Sequence, residues 1–435
     1  MARRHRRQPG CRGPPSAARD AARKRAARLI PTANVSQSPS IRSIYSPAMP
    51  ILFLIVFIDL VGFGVVIPLL PYYALRFDAS PFAVTMLMAT YSLAQFIAAP
   101  ILGRISDRIG RRPVLLLSLA CSILSYIWLG LAGTLWMLFG ARLLAGAGAG
   151  NIAAAQAYIA DVTPPEGRAK GMGMIGAAFG LGFTVGPAIG GVLAGANPAT
   201  ADLARPAFLA AGLSAIAFVF AAARLKESLS APAATARRSR FTVIKGALGR
   251  PVLGNLIVLF FVTISAFAGM ETTFALWANR SFGWGPEQVG WIFFYVGILL
   301  AALQGGLIGR LARRFGEARL VTAGAAIIGV GLLGIAFAHA LWAVLVTTGL
   351  LAIGMGMLNP SVTSLVSRQA QADERGGIMG VSQSASSLAR ILGPAVAGAV
   401  FSLWGRNAPY YLGAVLMAAV VGMALRLPRR EAQAS

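Results

Sequence analysis

Gly103-Arg-Ile-Ser-Asp107-Arg108-Ile-Gly110-Arg111-Arg112-Pro113 sets five charged side chains in eleven residues between two long apolar runs. Hydrocarbon cannot hold that charge density, so the stretch must lie in water. The flanking runs then read as membrane helices joined by a tight loop. The rest of the chain fits this reading. It is 57% hydrophobic and 12% charged, with a mean hydropathy of +0.69, whereas soluble domains carry about 25% charged residues. The 50 glycines and 24 prolines suit transmembrane helices that pack closely and bend.

From Met49 onward twelve apolar segments stand out, each near the roughly 20 residues that cross about 30 Å of hydrocarbon. They are predicted at 50–74, 82–102, 113–132, 135–160, 171–195, 206–224, 252–278, 286–308, 319–338, 341–366, 377–402 and 409–426. The fold class is therefore an all-α membrane protein. Alternate connections hold 22 Lys/Arg on one side, among them Arg104, Arg108, Arg111 and Arg112, and four on the other: Arg76, Arg205, Arg280 and Arg406. By the positive-inside rule both termini are expected in the cytoplasm. The same alternation argues against nucleic acid as the reason for a net charge of +25. Residues 1–48 carry 11 Lys/Arg and one acid, Asp20. They read as a basic disordered extension or as sequence upstream of a true start at Met49; a transit peptide shares the composition.

The segment 225–250 is the long connection, and it separates two blocks of six. Those blocks repeat. Gly103 and Gly110 recur as Gly309 and Gly316, Gly146 and Gly148 as Gly354 and Gly356, and Asn151 as Asn359. Arg168 recurs as Arg375 and Gly186-Pro187 as Gly393-Pro394, all at offsets of 206 to 208. The organisation is an N-terminal six-helix half at 49–224, a linker at 225–250, a C-terminal half at 251–428 and a tail at 429–435.

The opening motif, Gly-x-x-x-Asp-Arg-x-Gly-Arg-Arg, resembles the loop between the second and third helices of major facilitator superfamily transporters. Gly103, Asp107, Arg108, Gly110 and Arg111 match its pattern, and the resemblance implies a cytoplasmic gating loop that latches the two halves. A plain topology determinant is the alternative. In the second copy Arg313 replaces the acid, so such a latch would be asymmetric. The fifth segment holds glycines four apart, a smooth stripe for close helix contact. Its Gly182-x-x-x-Gly186-Pro187-x-x-Gly190-Gly191 is similar to the motif of the superfamily's drug/proton antiporters. The resemblance covers residues 50–426 and looks closest to the tetracycline-efflux-like branch. It departs from that branch at Ser125-Tyr126, where tetracycline pumps have an acid, and in lacking a histidine in the eighth segment and an acid in the ninth. A broader drug or metabolite range is the expectation.

Asp59, Arg142, Glu271 and Arg390 lie inside predicted spans. An ionisable group there costs about 2.5–3.5 kcal/mol on insertion scales, so each is expected to face a cavity or a partner. Asp59 lies about ten residues into its helix, near mid-bilayer. The resemblance implies a role for it in proton or substrate coupling; a structural carboxylate bonded to nearby hydroxyls or backbone is the alternative. Arg142, with Leu138 and Gly146, matches the family's Leu-x-x-x-Arg-x-x-x-Gly pattern, although Ala145 stands where Gln is common. It is expected to tune Asp59, a permanent structural ion pair being the alternative. Glu271, near Phe274 and Trp277, suits a cationic amphiphile. Trp277, Trp284, Trp291, Phe293, Phe294 and Tyr295 read as an interfacial aromatic belt.

No nucleophile motif, His/Asp/Glu cluster or metal spacing accompanies these features, so an enzyme is not expected, nor a metal or cofactor. The expectation is a monomeric secondary transporter, in a bacterial inner membrane, that exports drugs or small amphiphiles in exchange for protons. A tetracycline-specific exporter and a metabolite facilitator or symporter remain the alternatives. The implied partners are the substrate, protons and the lipid bilayer.

Overall fold

The computed structural model describes residues 48–163, 168–229, 246–247, 249–370 and 374–427. The expected N-terminal extension (save Ala48), much of the linker and the C-terminal tail lie outside the described residues. Among those described, twelve helices are long and apolar enough to cross a membrane. In chain order they are α1 Met49–Leu75, α2 Pro81–Ile109, α3 Arg111–Gly130, α4 Leu135–Val162, α5 Gly171–Ala194 and α6 Ala204–Arg224. The second half comprises α7 Pro251–Phe282, α8 Pro286–Phe315, α9 Glu317–Ala336, α10 Leu341–Gln369, α11 Gly376–Trp404 and α12 Ala408–Leu425. The fold class and the count of twelve are as expected.

Helix ends follow local chemistry. Ser80 caps α2 by accepting from the Ala83 N–H at 3.2 Å, with Pro81 at the first helical position, where no N–H is needed. Pro68 sits in a short 3₁₀ turn, Ile67–Leu69, that interrupts α1, as a proline without a donor favours. A π turn at Leu303–Leu307 interrupts α8 at Gly305-Gly306.

The opening stretch corrects the expected loop. α2 stays helical through Ile109 and α3 begins at Arg111, so the turn is the single residue Gly110 at φ 109°. Gly316, its repeat partner, turns between α8 and α9 at φ 81°. Only glycine takes such a φ without strain. A Cβ at Gly110 would also collide with the Glu227 carboxylate. Hydropathy placed the ends of α2 and α8 seven residues early because arginine stops an apolar count, whereas a helix continues into water wherever its backbone bonds continue.

The halves pack alike. α1 lies against α5 and α6, and α7 against α11 and α12. Between halves the most extensive contacts are α2 with α11 and α5 with α8, pairs that the repeat interchanges. At the arginine-poor ends the halves touch closely. The Tyr72 hydroxyl donates to the Trp284 carbonyl at 3.0 Å, the Glu287 N–H donates to the Gly195 carbonyl at 3.3 Å, and Gly290 abuts Pro187. At the arginine-rich ends of α2, α5, α8 and α11, a methyl added at Gly103, Gly173, Gly309 or Gly376 would meet nothing within 4 Å. The halves are joined at the arginine-poor ends.

The aromatic belt needs one correction. Trp277 is 1% exposed, donates to Asn407 Oδ1 at 3.0 Å and packs on Tyr410. It belongs to the second-half core, because its indole N–H finds a partner in the half-buried Asn407.

The charged turn is anchored within the first half. Arg111 bonds Asp107 at 2.6 Å and Asp161, at the end of α4, at 3.1 Å. Glu227 accepts from the N–H groups of Arg111 and Arg112 at 2.8 and 3.1 Å, capping α3. Desolvation acts to raise the Glu227 carboxyl. Backbone N–H donors from Leu229, Arg111, Arg112 and Ser228 outweigh it and hold the group below the usual carboxylate range.

The second half repeats this strut with its polarity reversed. Glu317, which follows Gly316 as Arg111 follows Gly110, pairs with Arg368 at 2.9 Å at the end of α10. Arg111→Glu alone would face Asp107 and Asp161 with a third acid, and should lower stability by about 1–3 kcal/mol. The triple exchange Asp107→Arg, Arg111→Glu, Asp161→Arg copies the charges of Arg313, Glu317 and Arg368. It should recover most of that loss, read as the thermal unfolding midpoint of the purified protein. Recovery no better than the single variant would show that polarity in the first half is fixed by something beyond the strut.

Candidate functional site

The expected antiporter-motif glycines line the seam between α5 and α1. A methyl at Gly186 would sit 2.7 Å from the Gly64 carbonyl carbon, one at Gly182 2.8 Å from Leu60 Cβ, and one at Gly190 would collide with the Val65 carbonyl. Gly191 faces the other way, against Pro286 of α8. α5 therefore uses one run of small residues to grip α1 within its own half and α8 across the seam. Pro187 lies on that seam beside Gly64 and Gly290.

Asp59 sits on α1 one residue before the Gly182 contact and is 5% exposed. Asn151 Nδ2 donates to one carboxylate oxygen, and the Ser214 hydroxyl donates to the other at 3.4 Å. Ser122 of α3 adds a third side-chain donor. The glycines of α4 arrange this cluster. Gly146 lets the helix meet the Tyr91 backbone, Gly148 abuts Cys121, and the helix is interrupted before restarting at Asn151.

Arg142 is not brought into an ion pair with Asp59. Its guanidinium lies 4.5 Å from the centre of the Tyr91 ring and 5.8 Å from that of Phe63. It is 4% exposed, and its Nε has no hydrogen-bond partner. Tyr91 and Tyr126 lie near both Asp59 and Arg142, so the two charges share neighbours instead of a bond.

Phe63 continues the aromatic surface to Tyr91 at 5.0 Å and to Phe183 at 5.6 Å. Phe183 lines a small cavity with Gly64, Ile67, Pro68 and Pro187 of the first half and Glu271 and Phe293 of the second. Glu271 therefore faces the seam, away from Trp277. Arg390 interacts electrostatically with Glu271 and, across the seam, with Tyr91. Hence Asp59, Arg142, Glu271 and Arg390 surround a seam of aromatic rings, while Gly103–Arg111 lies at the arginine-rich ends.

The sequence profile of the Major Facilitator Superfamily matches residues 52–305 and 259–435. The chain belongs to the Major Facilitator Superfamily. Its relatives include the class C tetracycline resistance protein of Escherichia coli, 31% identical over 79% of this chain and 87% of that protein. Multidrug resistance protein 2 of Bacillus subtilis is 29% identical over 86% of this chain and 93% of its own length. The crystal structure of the human organic anion transporter MFSD10 (TETRAN) superposes with a TM-score of 0.66 at 25% identity, covering 89% of this chain and all of that one. The nucleoside transporter NupG, at 12% identity and a TM-score of 0.73 over 88% of this chain and all of that one, shares the fold. The family and these solved neighbours are transporters.

Sequence reasoning missed Tyr91, Phe63, Ser122 and Ser214. Asn151 carried a signal, its recurrence as Asn359, while Asp161 and Glu227 carried none. The packing can be tested by adding one methyl. Gly186→Ala should destabilise by about 1–3 kcal/mol, since the α1 backbone opposite cannot give. Gly176→Ala, which meets open space, should be neutral or stabilising by up to about 1 kcal/mol. Thermal unfolding in detergent checks both, and equal effects would contradict the seam.

Proposed function

We propose that this superfamily member exports drugs or other small amphiphilic molecules in exchange for protons by alternating access. The observation that carries the reading is the junction of two features. Asp59 is a buried carboxylate held by the neutral donors Asn151, Ser214 and Ser122. The antiporter-motif glycine Gly182 packs on Leu60 and Val61 immediately beyond it. A carboxylate with neutral partners can take and release a proton without breaking an ion pair. A change in its hydrogen bonds moves α1 against α5, and α5 also carries the contact with α8. Proton state and the seam between halves are thereby linked through one helix pair.

In this reading the arginine-rich face is cytoplasmic, as the positive-inside rule requires. The protein resides in a bacterial inner membrane, acts as a monomer and is driven by the proton gradient with no cofactor. The names of the relatives support a drug substrate, and they divide between tetracycline and multidrug resistance at similar identity. The departures at Ser125-Tyr126 favour the broader range.

Proteoliposomes bearing an imposed pH gradient test the coupling. Wild type should move a fluorescent drug against its gradient while protons move the opposite way. Asp59→Asn should bind the drug with affinity within a few-fold of wild type yet lose gradient-driven movement by at least tenfold. Coupled movement that survives Asp59→Asn would remove Asp59 from the proton path, and protons moving in the drug's own direction would make the protein a symporter.

A further inference from the structure

A charge enclosed in protein needs a counter-charge, and among the described residues none lies within ion-pair distance of Arg142. Its guanidinium is permanently cationic, is 4% exposed and, among the described residues, takes part in no ion pair. Breaking a buried pair by removing one partner is strongly unfavourable, because it strands the other charge. Arg142 stands in that state, its Nε enclosed and without an acceptor. The guanidinium carbon lies over the rings of Tyr91 and Phe63, which offsets part of the cost. They do nothing for the N–H fork at its edge.

Neither nearby acid pairs with it. Asp59 is held by Asn151, Ser214 and Ser122, and Glu271 lies within electrostatic range of Arg390 without forming an ion pair. Arg390 adds a second positive charge within range of Tyr91. The Tyr91 end of the aromatic surface is therefore positive, and its guanidinium edge is shaped for two parallel bonds to one acidic group.

Resting on the transporter reading above, we propose that Arg142 seats an ionised oxygen group of the substrate, so that the transported molecules are aromatic amphiphiles bearing a carboxylate or a similar acidic oxygen. The rings of Phe63 and Phe183 receive the aromatic body, and the fork of Arg142 supplies its counter-ion. Binding then completes the pair that the empty protein leaves open. This assigns Arg142 to the substrate and leaves Asp59 to the proton.

The test uses the full chain in neutral-lipid nanodiscs and three matched probes: 1-naphthoate, its methyl ester, and 1-naphthylmethylammonium. Calorimetry should show naphthoate binding at least tenfold tighter than the ester, with the ammonium weakest. Arg142→Gln should reduce naphthoate to the level of the ester, and Arg142→Lys should keep part of the preference. The wild-type ranking decides even if Arg142→Gln does not fold. An ester equal to the acid, or an ammonium that binds tightest, overturns the proposal. So does a preference that survives Arg142→Gln and vanishes in Arg390→Gln. Proton-coupled movement of any dye in proteoliposomes is the separate readout. Coupled movement without acid preference sinks the seat and spares the export reading, whereas acid preference without coupled movement does the reverse.

Discussion

The backbone contact between α1 and α5 is the constraint on which the arrangement depends. At Gly64, Gly186 and Gly190 the helices approach until one methyl group would not fit. In a membrane such contact matters more than apolarity, because lipid tails are as apolar as any leucine and close packing must supply the association. This contact fixes where Asp59 lies relative to the seam, and the opposite face of α5 at Gly191 then meets α8. A helix gripped on two sides by backbone transmits small displacements with little loss, since packed interfaces shift between discrete arrangements more readily than they deform.

The charged groups divide by position into two kinds of work. At the arginine-rich ends, Arg111 with Asp161 and Glu317 with Arg368 tie a helix start to a helix end within each half. The reversed polarity of these two struts argues that their job is mechanical, because a strut tolerates exchange of sign. Glu227 adds a cap on α3 directly before the connection between halves, so the chain leaves the first half from a fixed point. In the interior, Asp59, Arg142, Glu271 and Arg390 stay free of close ion pairs with one another. In the proposed reading, these are the groups that bind something that comes and goes.

The sequence made the twelve spans and the internal repeat legible, because these depend on hydropathy and spacing that need no partner. The charged knot at Gly103–Pro113 stands out in the sequence, but the residues there form no loop: the backbone turns at Gly110 alone. Sequence also picked out the ionisable residues within spans, since each is costly and therefore conspicuous. It did not show their partners. Asn151, Ser214 and Ser122 converge on Asp59 from three helices, and no local pattern encodes a meeting of residues some 60 to 155 positions apart.

By itself, then, the sequence determined that this protein is a duplicated membrane bundle with a basic face and an antiporter-like glycine run. Each of those properties is written in nearest neighbours or in a period. Only the tertiary structure decided that Asp59 and Arg142 do not pair, that Trp277 belongs to the core and that Glu271 faces the seam. Those outcomes turn on which side of a helix a neighbour covers. That is set by how closely glycines let backbones approach, and it exists only once the helices are assembled.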